Sequence, residues 1–225
     1  MKQYWPLMVL LAACSSDANP GSTQYIVDGA KDQFCVPNEL TIQAPWWVPE
    51  DKPGTPNGFA FAGCWSDRDR PIKCPFPKSI RGGTVSGLNN THPRTYAAIP
   101  ADAFLRTILS EPDTTFLVDN SGHYVSAHNP RLWQDSYIWK VSALVEHGAR
   151  PVFSEHDELL ATCHASNSVQ KPLSGGPENI FCKRSFVSGE LSFDYSFEST
   201  EKFPTEFSEL DKVIESVVTG WRCAV

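Results

Sequence analysis

The cysteines limit the folds open to this chain more than any other feature of its sequence. There are seven, and six of them follow residue 30: Cys35, Cys64, Cys74, Cys163, Cys182 and Cys223. An even set in an exported chain indicates disulfides, whereas metal sites favour C-x-x-C or close Cys/His spacing. The one tight pair, Cys163-His164, points its two side chains in opposite directions on a strand. We therefore predict disulfides, with metal ligation as the alternative.

The sequence leaves the pairing of these six cysteines open, because six cysteines can pair in many ways. The most economical set joins Cys64–Cys74 across a short proline-rich loop and Cys163–Cys182 across a hairpin. The remaining pair, Cys35–Cys223, then ties the two ends of the domain. We expect this set.

The seventh cysteine, Cys14, follows an export signal. Lys2 gives the chain a positive start, and residues 4–11 form an apolar stretch that ends in Leu11-Ala12-Ala13-Cys14. This stretch is shorter than the roughly 20 residues that span a bilayer, and its length is typical of a signal peptide. L-A-A-C resembles the lipobox of bacterial lipoproteins, which implies cleavage before Cys14 and lipid on its thiol. An ordinary secretory signal that ends near a cysteine is the alternative.

The processed chain divides into three parts. We expect residues 1–13 to be the signal peptide, 14–24 to be the lipidated cysteine and a flexible tether, and 25–225 to form a single globular domain. Ser15 follows the cysteine, and in lipoproteins of this kind a residue other than Asp implies transfer to the outer membrane. The predicted location is the periplasm, with the lipid in the inner leaflet of the outer membrane.

The charge of the chain restricts its partners. Removing residues 1–13 takes away one lysine and no acid, which changes the formal charge from −7 to −8. Nucleic acid is disfavoured as a partner, because its phosphates are bound by Lys and Arg. A basic protein partner is compatible with this charge, since a negative surface attracts cationic groups.

The hydrophobic patterns predict the α+β class: an antiparallel β-sheet with a middle and a C-terminal helix packed on it. The middle helix covers 100–109, with Phe104, Leu105 and Ile108 on one face, and the last begins at an N-cap, Ser208, and stops at Gly220. Strands are predicted over 25–27, 58–65, 115–118, 123–127, 136–145 and 158–164, with two more around a turn within 178–198. Segments 44–57 and 66–94 are predicted to be loops.

Catalytic signatures are absent from the sequence. In Gly83-Thr84-Val85-Ser86-Gly87 the serine comes one place too late for a nucleophile elbow, and H-E-x-x-H does not occur. The densest acid and histidine cluster, residues 155–158, is contiguous, so its side chains alternate in direction and we expect a solvated turn. We predict no enzyme activity, no metal site and no cofactor. A hydrolase whose site forms only in three dimensions is an alternative.

Three motifs in the first third of the chain suggest a family. They are Y-I-V-D-G at 25–29, F-C-V-P at 34–37 and G-F-A-F-A-G-C-W at 58–65. With the lipobox, the acidic charge and the cysteine pattern, they resemble periplasmic lipoprotein immunity proteins that neutralise phospholipase effectors of the type VI secretion system. This resemblance implies a protein that binds the secreted lipase and occludes its active site without chemistry.

Two segments are candidates for the partner contact. Trp46 and Trp47 lie in a proline-stiffened loop beside Glu50 and Asp51, and tryptophan is a favoured hot-spot residue. The second candidate segment runs from 119 to 139 and offers His123, Tyr124, Trp133 and Asp135. An envelope lipoprotein that binds another protein or peptidoglycan permanently is the alternative function. An adjacent phospholipase gene would favour inhibition over that alternative.

Overall fold

The structure, a computed structural model, describes residues 21–27, 32–43, 50–52, 55–63, 74–88, 101–132, 135–165, 180–199 and 207–223. Two helices lie within these ranges, α1 (Ala101–Leu109) and α2 (Phe207–Thr219). The strands are β1 Ser22–Val27, β2 Asp32–Pro37, β3 Thr41–Ile42, β4 Glu50–Lys52, β5 Thr55–Pro56, β6 Gly58–Ala62, β7 Ile80–Gly87, β8 Thr115–Val118, β9 Tyr124–His128, β10 Asp135–Lys140, β11 Glu158–Ala165, β12 Ile180–Ser188 and β13 Leu191–Ser199.

A nine-stranded antiparallel sheet forms the centre of the fold. Its strand order is β3-β6-β7-β13-β12-β11-β10-β9-β8, and β1-β2 and β4-β5 form separate two-stranded sheets. Strands β8 to β13 form a meander, in which each strand pairs antiparallel with the next strand of the sequence. The predicted α+β class is confirmed.

The two helices cover opposite faces of this sheet. α2 packs with Phe207, Ile214 and Val218 in the larger core, which also contains Ile138 of β10. α1 packs in a smaller core that contains Trp139, the next residue of the same strand. Successive side chains of a strand point to opposite faces, so the larger and smaller cores lie on different sides of the sheet.

A buried arginine joins α2 to the sheet. Arg184 of β12 donates from Nε and Nη2 to the Asp211 carboxylate at 2.9 and 2.6 Å, and from Nη1 to the Leu160 carbonyl at 2.9 Å. The Tyr195 hydroxyl donates to the same carboxylate at 2.8 Å. Burial and Asp211 raise the pKa of Tyr195, so it stays protonated and continues to donate. This paired arrangement compensates the desolvation of the charged groups.

Disulfides join β2 to the segment after α2 and join two neighbouring strands of the large sheet. Cys35 of β2 is bonded to Cys223, and beside this bond Cys35 N–H donates to the Trp221 carbonyl at 2.6 Å. Cys163 and Cys182 are bonded between directly opposed positions of β11 and β12. Both pairs confirm the prediction. Cys74 is disulfide-bonded as well, and its expected partner Cys64 lies outside the described residues.

Several element boundaries differ from the predictions. The interval 66–94, predicted irregular, contains β7, which lies between β6 and β13. Gly83 of β7 faces the Phe61 ring. A Cβ at this position would stand 2.8 Å from the ring, so glycine allows the ring to pack closely against the strand. Within 44–57, predicted as loop, β4 and β5 pair as short antiparallel strands.

Two further differences concern packing on the helices. Phe104 was expected on the buried face of α1 and is exposed, whereas Leu105 and Leu109 are buried. α2 begins at Phe207, so Ser208 lies in its first turn and not at the N-cap. Phe207 is buried against Phe197, with ring centroids 5.9 Å apart, which draws the helix start toward the core.

Candidate protein-binding surface

The predicted contact residues fall into two groups. Cys14, Trp46, Trp47 and Trp133 lie outside the described residues. Glu50 and Asp51 belong to β4, where the structure describes the backbone alone. His123, Tyr124 and Asp135 are described with their side chains.

The structure places His123 and Tyr124 far from Asp135. Tyr124 opposes Lys140 at one end of the β9–β10 ladder, and Asp135 is the first residue at the other end. A separation of five residues along a strand corresponds to about 17 Å. These side chains therefore lie at opposite ends of the ladder, and Asp135 lies beside His164, its partner on β11.

The turn before β9 is organised by Asp119. Its carboxylate accepts from Ser121 Oγ at 2.7 Å, from Ser121 N at 3.1 Å and from Tyr124 N at 2.9 Å. Burial acts to raise the pKa of Asp119, but the hydrogen bonds from Ser121, Tyr124 and His123 outweigh it, so its pKa is lowered. The ionised carboxylate therefore holds exposed His123 at a defined position.

A long connection between β10 and β11 lies against this turn. We call residues 141–157 the β10–β11 loop; they form neither helix nor strand. Val141 N donates to the His123 carbonyl at 2.8 Å, and Val145 N donates to the Gly122 carbonyl at 3.0 Å. Gly122 has φ +72°, and a Cβ there would stand 3.0 Å from the Val145 carbonyl oxygen, so the close approach requires glycine.

The Asp157 carboxylate closes the base of the loop. It accepts from Ser142 N at 2.7 Å and Ser142 Oγ at 2.8 Å, and its other oxygen accepts from Ser154 N at 2.6 Å. Burial acts to raise the pKa of Asp157, but the hydrogen bonds from Ser154 and Ser142 outweigh it and lower the pKa. The strand predicted over 136–145 therefore ends at Lys140, because the Ser142 amide bonds to this carboxylate and not to a strand.

This buried role differs from the solvated turn predicted for residues 155–158. Glu155, His156 and Glu158 are exposed as expected, whereas Asp157 is only 7% exposed. The four contiguous residues alternate in direction, and one of them turns into the loop and satisfies its amides. The cluster is thus partly solvated and partly structural.

Aromatic contacts fix the second half of the loop. The Phe153 ring packs on Trp139 with centroids 5.0 Å apart and on Phe116 at 6.2 Å. Arg150 lies over the Phe116 ring at 5.5 Å. Its Nη2 donates to the Ser110 carbonyl at 2.8 Å and also to the Glu111 carbonyl, both just after α1. The loop is therefore attached to the turn, the sheet and the end of α1.

The anchored loop exposes two aliphatic side chains. Leu144 is 70% exposed and Val152 is 91% exposed. Glu146 and Glu155 on the same loop are also exposed. An ordered loop that holds two large aliphatic groups in water is a candidate for a protein contact. Sequence reasoning missed this loop because it extended a strand through residue 145, which shortened the predicted connection to 146–157. The full length of the loop, which is unusual for a connection without secondary structure, emerges only in the structure.

The described residues also bear on metal sites and membrane spans. Within the described ranges, no group of three or more His, Cys, Asp or Glu is placed to hold a metal ion. Neither α1 nor α2 is long and apolar enough to cross a membrane.

Comparisons with known proteins give one structural similarity. No protein-family model and no curated protein matches the chain. Among solved structures the chain is similar to Smlt3025, an immunity protein of the Stenotrophomonas maltophilia type IV secretion system. The TM-score is 0.43 and the identity 12%, over 91% of this chain and 94% of that chain. A likeness this distant carries no argument about function, which has to come from this chain's own residues.

Proposed function

We propose that this chain is an immunity protein that binds a type VI secreted phospholipase in the periplasm and occludes its active site. In this proposal, lipid on Cys14 holds the domain at the inner leaflet of the outer membrane. The protein acts by binding and changes no covalent bond in either partner. The sequence motifs at 25–29, 34–37 and 58–65 and the lipobox suggest the class.

The observation that carries a binding role is the anchored β10–β11 loop with its exposed aliphatic side chains. A preformed contact loses less conformational entropy on association than a mobile one, so more of the contact energy appears as affinity. The acidic charge of the chain supports a basic partner, because opposite charges speed encounter. A phospholipase groove that holds a lipid phosphate offers both apolar walls and basic groups.

The test is inhibition of a phospholipase effector, which is sought first among the products of the genes adjacent to this one. Purified protein from residue 20 onward should form a one-to-one complex with that enzyme and abolish its hydrolysis of phospholipid vesicles. Deleting the gene should make cells sensitive to effector-producing sister cells. Absence of binding and of inhibition by the wild-type protein would overturn the proposed function and favour an envelope assembly role.

The Trp46-Trp47 segment stays a predicted contact within this proposal. Replacing both tryptophans by alanine should weaken inhibition by about thirtyfold or more, since a buried tryptophan anchor contributes about 2 kcal/mol. Replacing Glu50 or Asp51 should mainly slow association and reduce its salt dependence. A folded double tryptophan variant that inhibits like wild type would remove this segment from the interface and leave the immunity function intact.

A further inference from the structure

We infer that the β10–β11 loop enters a recess of the inhibited enzyme that is apolar at its base and basic at its rim. The inference rests on the proposed function and adds the contact residues and the chemistry of the partner. Leu144 and Val152 are the inserted groups, and Glu146 and Glu155 face the rim. Asp157 positions the loop and does not touch the partner.

The aliphatic exposure is the first step of the argument. Transferring a fully exposed aliphatic side chain into an apolar recess is favourable in proportion to the area it buries. Leu144 and Val152 are among the most exposed large hydrophobic side chains of the described residues, and both belong to this loop.

The rigidity of the loop is the second step. Its backbone is bonded to the Gly122 and His123 carbonyls, its base to Asp157, and its far half to Trp139 and Phe116 through Phe153. These contacts define the loop conformation before any partner arrives. Few degrees of freedom are then lost on binding, which favours a slow dissociation.

The acidic charge of the loop indicates that the rim of the partner's recess is basic. The loop carries three carboxylates, Glu146, Glu155 and Asp157, against one arginine. The exposed Arg150 guanidinium is held against the Ser110 and Glu111 carbonyls, and Glu146 and Glu155 are exposed on the same loop, so the charged surface of the loop is net negative. A second copy of this acidic chain would be repelled by these groups, whereas basic residues around a lipid-phosphate site would be attracted.

The experiment compares four variants of the mature protein as inhibitors of the phospholipase that the wild type inhibits. Leu144→Ser with Val152→Ser should weaken inhibition at least tenfold, equivalent to about 1.4 kcal/mol. Ile26→Ser is the matched control, because Ile26 is 67% exposed but lies on β1. Glu146→Gln with Glu155→Gln should slow association and reduce its salt dependence, whereas Glu190→Gln on the β12–β13 turn should not.

The outcomes separate this inference from the proposed function. If the wild type inhibits and the folded loop variant inhibits equally well, the loop inference fails and the immunity function stands. If the wild type does not inhibit, the immunity function fails. Sedimentation at increasing protein concentration tests self-association: a wild-type dimer that the Leu144/Val152 variant abolishes would overturn the effector contact. Equal thermal stability of variants and wild type shows that the fold is intact.

Discussion

The end of the molecule that carries α2 and the end that carries the β10–β11 loop are both ordered, but by different interactions. At the α2 end, two disulfides, a buried Arg184–Asp211 pair and a large apolar core hold the chain. At the loop end, carboxylates and backbone carbonyls hold an exposed segment over a small core. The comparison teaches that the covalent and apolar interactions maintain the domain, whereas polar anchors shape the surface offered to a partner.

The largest expected effect comes from the disulfides of the α2 end. Cys35–Cys223 closes a separation of 188 residues and Cys163–Cys182 one of 19. In the chain-entropy model, replacing both cysteines of the first pair by alanine lowers the free energy of unfolding by about 5 kcal/mol, and of the second by about 3 kcal/mol. Denaturant unfolding measures both. An equal loss from the two pairs would contradict this account of their roles.

The buried ion pair should produce the next effect. Asp211→Ala leaves the Arg184 guanidinium buried without its carboxylate and should lower the free energy of unfolding by about 3 kcal/mol or more. Replacing both residues by apolar ones should cost less than the single change. At the loop end, Arg150→Ala should cost under about 1 kcal/mol, because Arg150 is exposed and bonds only to carbonyls. A similar loss of unfolding free energy from Asp211→Ala and Arg150→Ala would contradict the difference between the two ends.

A glycine pair tests the contact between the turn and the loop. Gly122 and Gly148 both have left-handed φ angles, +72° and +82°. Alanine at either costs about 1 kcal/mol of strain, and at Gly122 it also meets the Val145 carbonyl, whereas space is open at Gly148. Gly122→Ala should therefore be more destabilising by about 1 kcal/mol and should weaken inhibition more. Thermal unfolding of the two variants, which are matched in chemistry, gives the comparison directly.

The smallest effect is a pH dependence of stability, which has opposite signs at the β10–β11 loop and at β13. The pKa values of Asp157 and Asp119 are lowered on folding, so their stabilisation is complete above about pH 4 and is lost as the pH falls through the folded values. Burial outweighs the hydrogen bond from Ser185 and raises the pKa of Asp194 on β13, so protonation there favours the folded state. As the pH falls below about 4, hydrogen exchange corrected for intrinsic rates should show loss of protection at Ser142 and Ser154 and none at β13. Uniform loss of protection would indicate global unfolding instead.

Much of the fold was predictable from local patterns. Leu191, Phe193, Tyr195 and Phe197 alternate along β13, and all four are buried as the alternation predicts. The helices were placed within a residue or two, since their apolar spacing is a local property. β7 was missed, because its glycines lower strand propensity and its order depends on pairing with β13, which is distant in sequence, as well as with β6.

The binding surface was less predictable than the fold. His123 and Tyr124 were selected by residue type, and the structure places them beside the β10–β11 loop, while Asp135 lies at the other end of the ladder. Leu144 and Val152 carry no motif, because exposure is a property of the folded chain. Their interpretation required the positions of Asp157 and Phe153.

The sequence by itself determined the α+β class, and it predicted Cys35–Cys223 and Cys163–Cys182 as the most economical pairs while other pairings stayed open; the export signal remains a prediction from its motif. These depend on short motifs, on spacing and on periodicity, which are encoded locally. Only the tertiary structure decided that Asp157 is buried under the β10–β11 loop and that Leu144 and Val152 remain in water. Burial depends on which distant segments surround a residue, and hydrogen bonds from Ser142 and Ser154 form only when the fold brings those amides to one carboxylate.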